Sequence, residues 1–221
     1  MNQPGRAGIS RYATPSREDA ETEFNRVVAF SDGVFAIAIT LLVLTLEIPS
    51  GVDDLGQELR DRAEEFLAYG LSFAVLGKFW ITHHSFFGSL ARFDARLMAL
   101  NLLYLAFIAL VPFTSDLLGD YSDQTVAVII YALNMAAITG IFAATVRYSL
   151  RHELIREWAK PHTRRFAGWT EYTITVVFLI SCPVALLSPT AAIVVWLSIF
   201  LMGGRLLDVM AVEPREEPDR D

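Results

Sequence analysis

Apolar residues run nearly unbroken through six stretches of the chain, at about residues 26–48, 66–88, 96–118, 124–147, 166–187 and 190–209. Each approaches the roughly 20 helical residues needed to cross a hydrocarbon core of about 30 Å. Between them lie "PSGVDDLGQELRDRAEE", "SLARFDA", "GDYSD", the basic run from Arg147 to Arg165, and the tight Ser188–Pro189 pair. Gly, Pro, Asp and Ser are the residues that turn a chain. The pattern therefore predicts an all-α, integral membrane protein with six transmembrane helices.

Composition agrees, since 53% of the 221 residues are hydrophobic and only 19% are charged, too apolar a balance for a soluble domain of this size. Residues 1–23 are polar and lack the apolar centre of a secretory signal, so they are expected as a flexible N-terminal segment ahead of a retained first span. Residues 24–211 then form the membrane domain, and 212–221, an acidic and proline-bearing tail, are expected to be flexible. The single cysteine, Cys182, excludes an intrachain disulfide and a cysteine-built zinc site.

An even number of spans leaves both termini on one side. Of the 18 Lys and Arg residues, all but Arg60, Arg62 and Lys78 fall in segments on that side. Basic residues mark the cytoplasmic face, so a multi-pass protein of the cell membrane with cytoplasmic termini is expected. The net −7 would ordinarily argue against nucleic acid or an anionic membrane as partners, but in such a chain the placement of Lys and Arg matters more than their sum; nucleic acid is not expected as a partner. The basic run from Arg147 to Arg165 flanks a span and is interleaved with Glu153 and Glu157, unlike a voltage sensor; it lies near the membrane surface, in reach of anionic lipid headgroups, and an orientation signal is its simpler reading. Trp158 and Trp169 read as interface anchors.

With this topology, a rise of about 1.5 Å per residue puts Asp32 about 9 Å, His84 about 12 Å and Asn101 about 7.5 Å from the cytoplasmic ends of their helices. Ser31, Asp32, His83, His84 and Asn101 thus form one polar layer across three consecutive spans. Such groups are costly in a membrane and satisfy one another across helices. The layer serves either as structural glue or directly in ion or proton handling. Above it, Gly33, Ile37, Thr40 or Leu41, and Leu44 recur at helical spacing and share one narrow, mostly aliphatic face. Spacing says only that this stripe packs against something.

The stretch "RVVAFSDGVFAIAITLLVLTLEIP" resembles the first helix of the transmembrane protein 175 family of potassium channels, whose hallmark Arg-x-x-x-Phe-Ser-Asp stands here as Arg26, Phe30, Ser31 and Asp32. "FWITHH" (Phe79 to His84) and "LNLLYLAFIALVPF" (Leu100 to Phe113) extend the resemblance. It implies a homotetramer in which the first helix of each subunit lines one pore, with Ile37, then Thr40 or Leu41, then Leu44 as rings of a constriction. It also implies that Arg26, Phe30, Ser31 and Asp32 join His83, His84 and Asn101 in an interhelical network. No TVGYG-like loop is present to act as a carbonyl filter. A dry aliphatic collar gates by dewetting, and Thr40 is the one stripe side chain able to touch a partly dehydrated cation. Glu47, Asp53, Asp54, Asp116, Asp120 and Asp123 either raise cation concentration at the outer mouth or form only a solvated face.

The expectation is a potassium-preferring channel of modest selectivity, with potassium ions as permeant species, membrane lipids and its own copies as partners, and no cofactor or bound metal. An enzyme is disfavoured: there is no paired aspartate and no HExxH, and His83 and His84 point about 100° apart on a helix. A secondary transporter or a non-conducting scaffold is the alternative. Pro112 and Pro183 do not fall in corresponding places of two three-helix halves, as a transporter of inverted repeats would have them.

Overall fold

The computed structural model describes residues 17–46, 51, 54–161, 163 and 170–196, and among these every extended element is helical. Helix α1 spans Arg17–Leu41 and tightens into a 3-10 turn over Leu42–Thr45. Helix α2 is short, Leu55–Asp61, and α3 runs Ala63–Gly88. Helices α4 (Ala95–Ala109) and α5 (Val111–Asp120) are nearly continuous, α6 spans Thr125–Arg151, and α7 spans Thr170–Leu187. Residues 189–196 are helical as well.

Several expected boundaries move, each for a local reason. Residues 17–23, expected in a flexible N-terminal segment, belong to α1; residues 1–16 and 212–221 lie outside the described residues. The segment between the first two spans is not all loop, because Asp54 accepts the Gln57 N–H at 3.0 Å and caps α2. The third span, expected unbroken over 96–118, is interrupted at Leu110. Pro112 has no N–H to donate and its ring crowds the carbonyl four residues earlier, so the chain restarts as α5 with proline in its first turn. The Ser188–Pro189 turn opens the last described helix: Ser188 Oγ accepts the Ala191 N–H at 3.2 Å, and proline follows the cap. Residues 197–209 of the sixth expected span are outside the described residues.

Among the described residues, three helical stretches are long and apolar enough to cross a membrane, Glu21–Thr45, Ala95–Asp120 and Thr125–Arg151, while Tyr172–Leu187 is apolar but shorter. Helix α3 has the length, at 26 residues, but carries Lys78, His83 and His84. The third stretch sits at the centre, with 56% of its apolar window buried against 22% for α1. Helix α7 packs along α6, where Thr175 donates to Thr139 Oγ1 at 2.8 Å beside Gly140. Small and hydroxyl-bearing residues let helices approach closely where no water is available to drive association. At the other end of the same pair, Thr125 donates to the Ala185 carbonyl. An aromatic core of Phe35, His83, Phe87, Tyr104 and Phe142 joins α1, α3, α4 and α6.

Candidate functional site

Helix α1 buries one face and exposes the opposite one. Ser31, Phe35, Ala38 and Leu42, spaced i, i+4, i+7 and i+11, are each at most 1% exposed against the bundle. At the same spacing on the other side lie Gly33, Ile37, Thr40 and Leu44, all exposed, with Ile37 at 61% and Leu44 at 67%. Leu41 is exposed too, and Arg26 and Phe30 continue this outer face toward the helix start. The stripe is thus left largely uncovered by the described residues of its own chain. Thr40 donates its hydroxyl proton to the Ile37 carbonyl at 2.9 Å, which leaves oxygen lone pairs available on the exposed side.

On the buried face, Ser31 Oγ donates to the Val27 carbonyl at 2.9 Å and accepts from Asn101 Nδ2 at 3.0 Å. Asn101 Oδ1 lies 2.8 Å from His83 Nε2, the nitrogen that carries the donated proton in this arrangement. Ser31, His83 and Asn101 are 0–2% exposed. The imidazole is held in place by Phe87, stacked at 4.2 Å, by Tyr104 at 5.4 Å and by Phe35 at 5.5 Å. One relay of bonds thereby ties α1, α4 and α3 at a single level.

Asp32 is outside that relay. One residue along a helix is about 100° around it, and the carboxylate faces α3 at the surface, where Oδ1 accepts from Trp80 Nε1 at 2.8 Å. His84 Nδ1 is 4.0 Å from the same oxygen, beyond hydrogen-bond reach, and its ring lies 5.5 Å from that of Trp80. The single polar layer expected from depth is therefore two groups: a buried relay of Ser31, Asn101 and His83, and an outer cluster of Asp32, Trp80 and His84. Arg26 and Phe30 are in neither, because they lie on the outer face of α1 with the stripe. Trp80 was not among the expected site residues. Its position within "FWITHH", four residues before His84 and so on the same helical face, was the available signal.

Among the described acidic residues of the expected outer mouth, Asp54 caps α2, and Asp116, Asp120 and Asp123 are exposed around the α5–α6 turn. Glu47 and Asp53 are outside the described residues. No group of three His, Cys, Asp or Glu side chains gathers as metal ligands among the described residues.

Residues 26–112 match the family model described as "Endosomal/lysosomal potassium channel TMEM175". The crystal structure of a lysosomal potassium-selective channel TMEM175 homolog from Chamaesiphon minutus superposes with a TM-score of 0.64 at 30% identity, over 86% of this chain and 100% of that one. The chain belongs to the TMEM175 family. A Streptomyces collinus relative described as a potassium channel is 43% identical over 128 residues, which are 55% of this chain and 62% of that protein. A Gallus gallus relative, described as an endosomal/lysosomal proton channel, is 28% identical over 180 residues, 71% of this chain and 36% of its own length. The matched region covers 59–64% of the length of the three bacterial relatives. The TMEM175 family match takes in α1, α3 and α4, the three helices that carry the stripe and both polar groups.

Proposed function

We propose that this chain is a subunit of a potassium-passing channel in the cell membrane, with six spans, cytoplasmic termini, and four copies arranged so that the α1 stripes face a common axis. The observation that carries the reading is the stripe itself. A helix that buries one face through Phe35, Ala38 and Leu42 presents Ile37, Thr40 and Leu44 on the other, exposed among the described residues. From Gly33 to Leu44 this face is about 16 Å long, roughly half the hydrocarbon thickness. Four Ile37 or Leu44 side chains around an axis form a water-excluding collar, and four Thr40 oxygens supply polar contacts to an ion between two such collars. The bacterial relative's description as a potassium channel supports potassium as the permeant ion. No catalytic step and no cofactor enter this reading.

A potassium-gradient flux assay on purified protein in liposomes tests it, with sodium substituted in parallel and a pH-sensitive dye to register proton flux. Larger flux with potassium supports the channel. Flux of protons alone moves the reading toward the proton conduction named for the vertebrate relatives. No flux from folded, assembled protein leaves a scaffold, and slow, saturating exchange leaves a transporter.

A further inference from the structure

Two polar segments far apart in sequence meet at one end of the bundle. The α3–α4 turn and the chain leaving α6 pair through an antiparallel bridge between Leu90 and Ile155. Ala91 N–H donates to Leu154 O at 2.8 Å, and Arg156 N–H donates to Ser89 O at 2.9 Å. Side chains reinforce the pairing: Arg156 Nε donates to Leu90 O at 3.2 Å and Arg92 Nη2 to Glu153 O at 3.3 Å. Leu154, Ile155 and Ala159 turn inward and are buried, while Trp158 is 51% exposed. The segment after α6 therefore lies flat across the helix ends, apolar side in.

Its outer side is basic. Residues 89–96 and 147–160 hold six cations, Arg92, Arg96, Arg147, Arg151, Arg156 and Lys160, against three acids, Asp94, Glu153 and Glu157, in a chain whose net charge is −7. All five arginines are exposed. Two of the acids are engaged locally, Asp94 with the Tyr148 hydroxyl and the Leu97 N–H, and Glu157 with Lys160. A positive patch at the end of membrane-length helices, with a tryptophan beside it, sits where headgroups lie. Guanidinium groups present paired N–H donors that match phosphate oxygens.

We propose that this face binds the headgroups of anionic phospholipids. The site needs both segments, because the loop pairing brings Arg92 of the α3–α4 turn beside Arg156 after α6, at the ends of α4 and α6 that carry Arg96, Arg147 and Arg151. Phe93, in that turn, packs edge-on against Phe24 of α1 at 5.9 Å, so a bound headgroup rests on the element that holds the start of the striped helix. Binding does not depend on whether the chain passes ions.

The test is an equilibrium titration of the full chain in non-ionic detergent with dioctanoyl phosphatidylglycerol, using dioctanoyl phosphatidylcholine and inorganic phosphate as comparison probes. Phosphatidylglycerol is expected to bind at least about tenfold more tightly than phosphatidylcholine, with affinity falling as salt rises from about 50 to about 500 mM. Each surface arginine contributes about fivefold, so R96Q/R147Q/R151Q, which spares the arginines bonded to the loops, should weaken phosphatidylglycerol by about 100-fold. Should that variant not fold, the salt dependence of the native chain and the single variant R147Q carry the same test. Equal affinity for the two lipids, or an unchanged affinity in the arginine variants, overturns the proposal. Displacement of the lipid by millimolar phosphate overturns the lipid assignment in favour of a free anion.

Discussion

Replacing Asn101 by alanine removes the middle of the buried relay, and the structure sets the size of the loss. Two interhelical bonds disappear, at 2.8 and 3.0 Å, each worth about 0.6 kcal/mol on average inside a bilayer. Unlike a surface site, this one gives His83 Nε2–H no alternative acceptor from water, since the imidazole is 2% exposed and stacked between Phe87 and Tyr104. An unsatisfied buried donor adds about 1–3 kcal/mol. The sum is about 2–4 kcal/mol of helix-packing stability. Ser31→Ala should cost somewhat less, about 1.5–3.5 kcal/mol, because one interhelical bond is lost instead of two, although Asn101 Nδ2 is left as a buried donor without its acceptor. Since Ser31 and Asn101 share a bond, their effects should not add: once Asn101 is gone, Ser31→Ala has nothing left to break on that side. Unfolding equilibria of the four members of this double-mutant cycle, measured in bicelles by steric trapping, give both quantities. A cost for Asn101→Ala below about 0.5 kcal/mol, or strict additivity of the pair, would refute the claim that the relay holds α1 to α3 and α4.

Four further outcomes are expected. Ile37→Asn, placed in the middle of the exposed stripe, should raise single-channel conductance or lower the potassium-to-sodium ratio; recordings indistinguishable from the parent in both would remove Ile37 from the permeation path. Asp32→Ala deprives Trp80 Nε1 of its acceptor at a half-exposed site, so it should cost the subunit under about 1 kcal/mol but reduce assembly, read by light scattering after size exclusion. Partial burial alone raises the pKa of Asp94, but the Leu97 N–H, the Tyr148 hydroxyl and nearby His152 outweigh it and hold the carboxyl below its ordinary value; the associated stability is full above the ordinary carboxylate range and is lost as pH falls through the lowered value, so thermal midpoints from pH 7 to 3 should fall more steeply for the parent than for Tyr148→Phe. Glu153 holds φ at 55° where α6 ends, and Glu153→Gly should stabilise the chain by about 1 kcal/mol in thermal or denaturant unfolding, with no change if the strain is absent.

Much of the architecture is written in the pattern, because a bilayer leaves the chain few solutions: long apolar runs must be helices, and Ser188–Pro189 marks where two of them part, whereas the interruption before Pro112 was not foreseen inside an unbroken apolar run. The polar layer was legible as a level, since depth follows from counting residues. Its division was not. Whether Ser31 or Asp32 turns inward depends on the rotation of α1, which is fixed by Phe35, Ala38 and Leu42 fitting against α3 and α4, a tertiary fact. The pairing of residues 89–92 with 153–156 was equally hidden. It forms between irregular segments through backbone groups, which every sequence carries, and the only local sign is Leu154 and Ile155 standing apolar inside a basic run. The positive φ of Glu153 belongs to the same turn. It lets the Leu154 N–H reach back to the Ser149 carbonyl at 3.0 Å and directs the chain across the helix ends.

The two polar groups solve a problem created by the stripe. A helix that leaves one side uncovered has less packing to fix its rotation, and aliphatic surfaces slide past one another at little cost. Hydrogen bonds do not: turning α1 by one residue, about 100°, would swing Ser31 away from Asn101 and drive the Asp32 carboxylate into the aromatic cluster, where a charge without a partner is costly. The rotation is thus specified from inside by Ser31, bonded into the Asn101–His83 relay, and from outside by Asp32, bonded to Trp80; Ser31 and Asp32 are one residue apart in sequence and face different sides of α1. At the other end of α1, Phe24 between Phe87 and Phe93 ties the helix start to the turn that carries the basic face. In the proposed channel, these polar residues act on permeation through the orientation of α1. They determine which of Ile37, Thr40, Leu41 and Leu44 faces outward from the subunit, and a change in them should alter ion ratio only insofar as it lets α1 rotate.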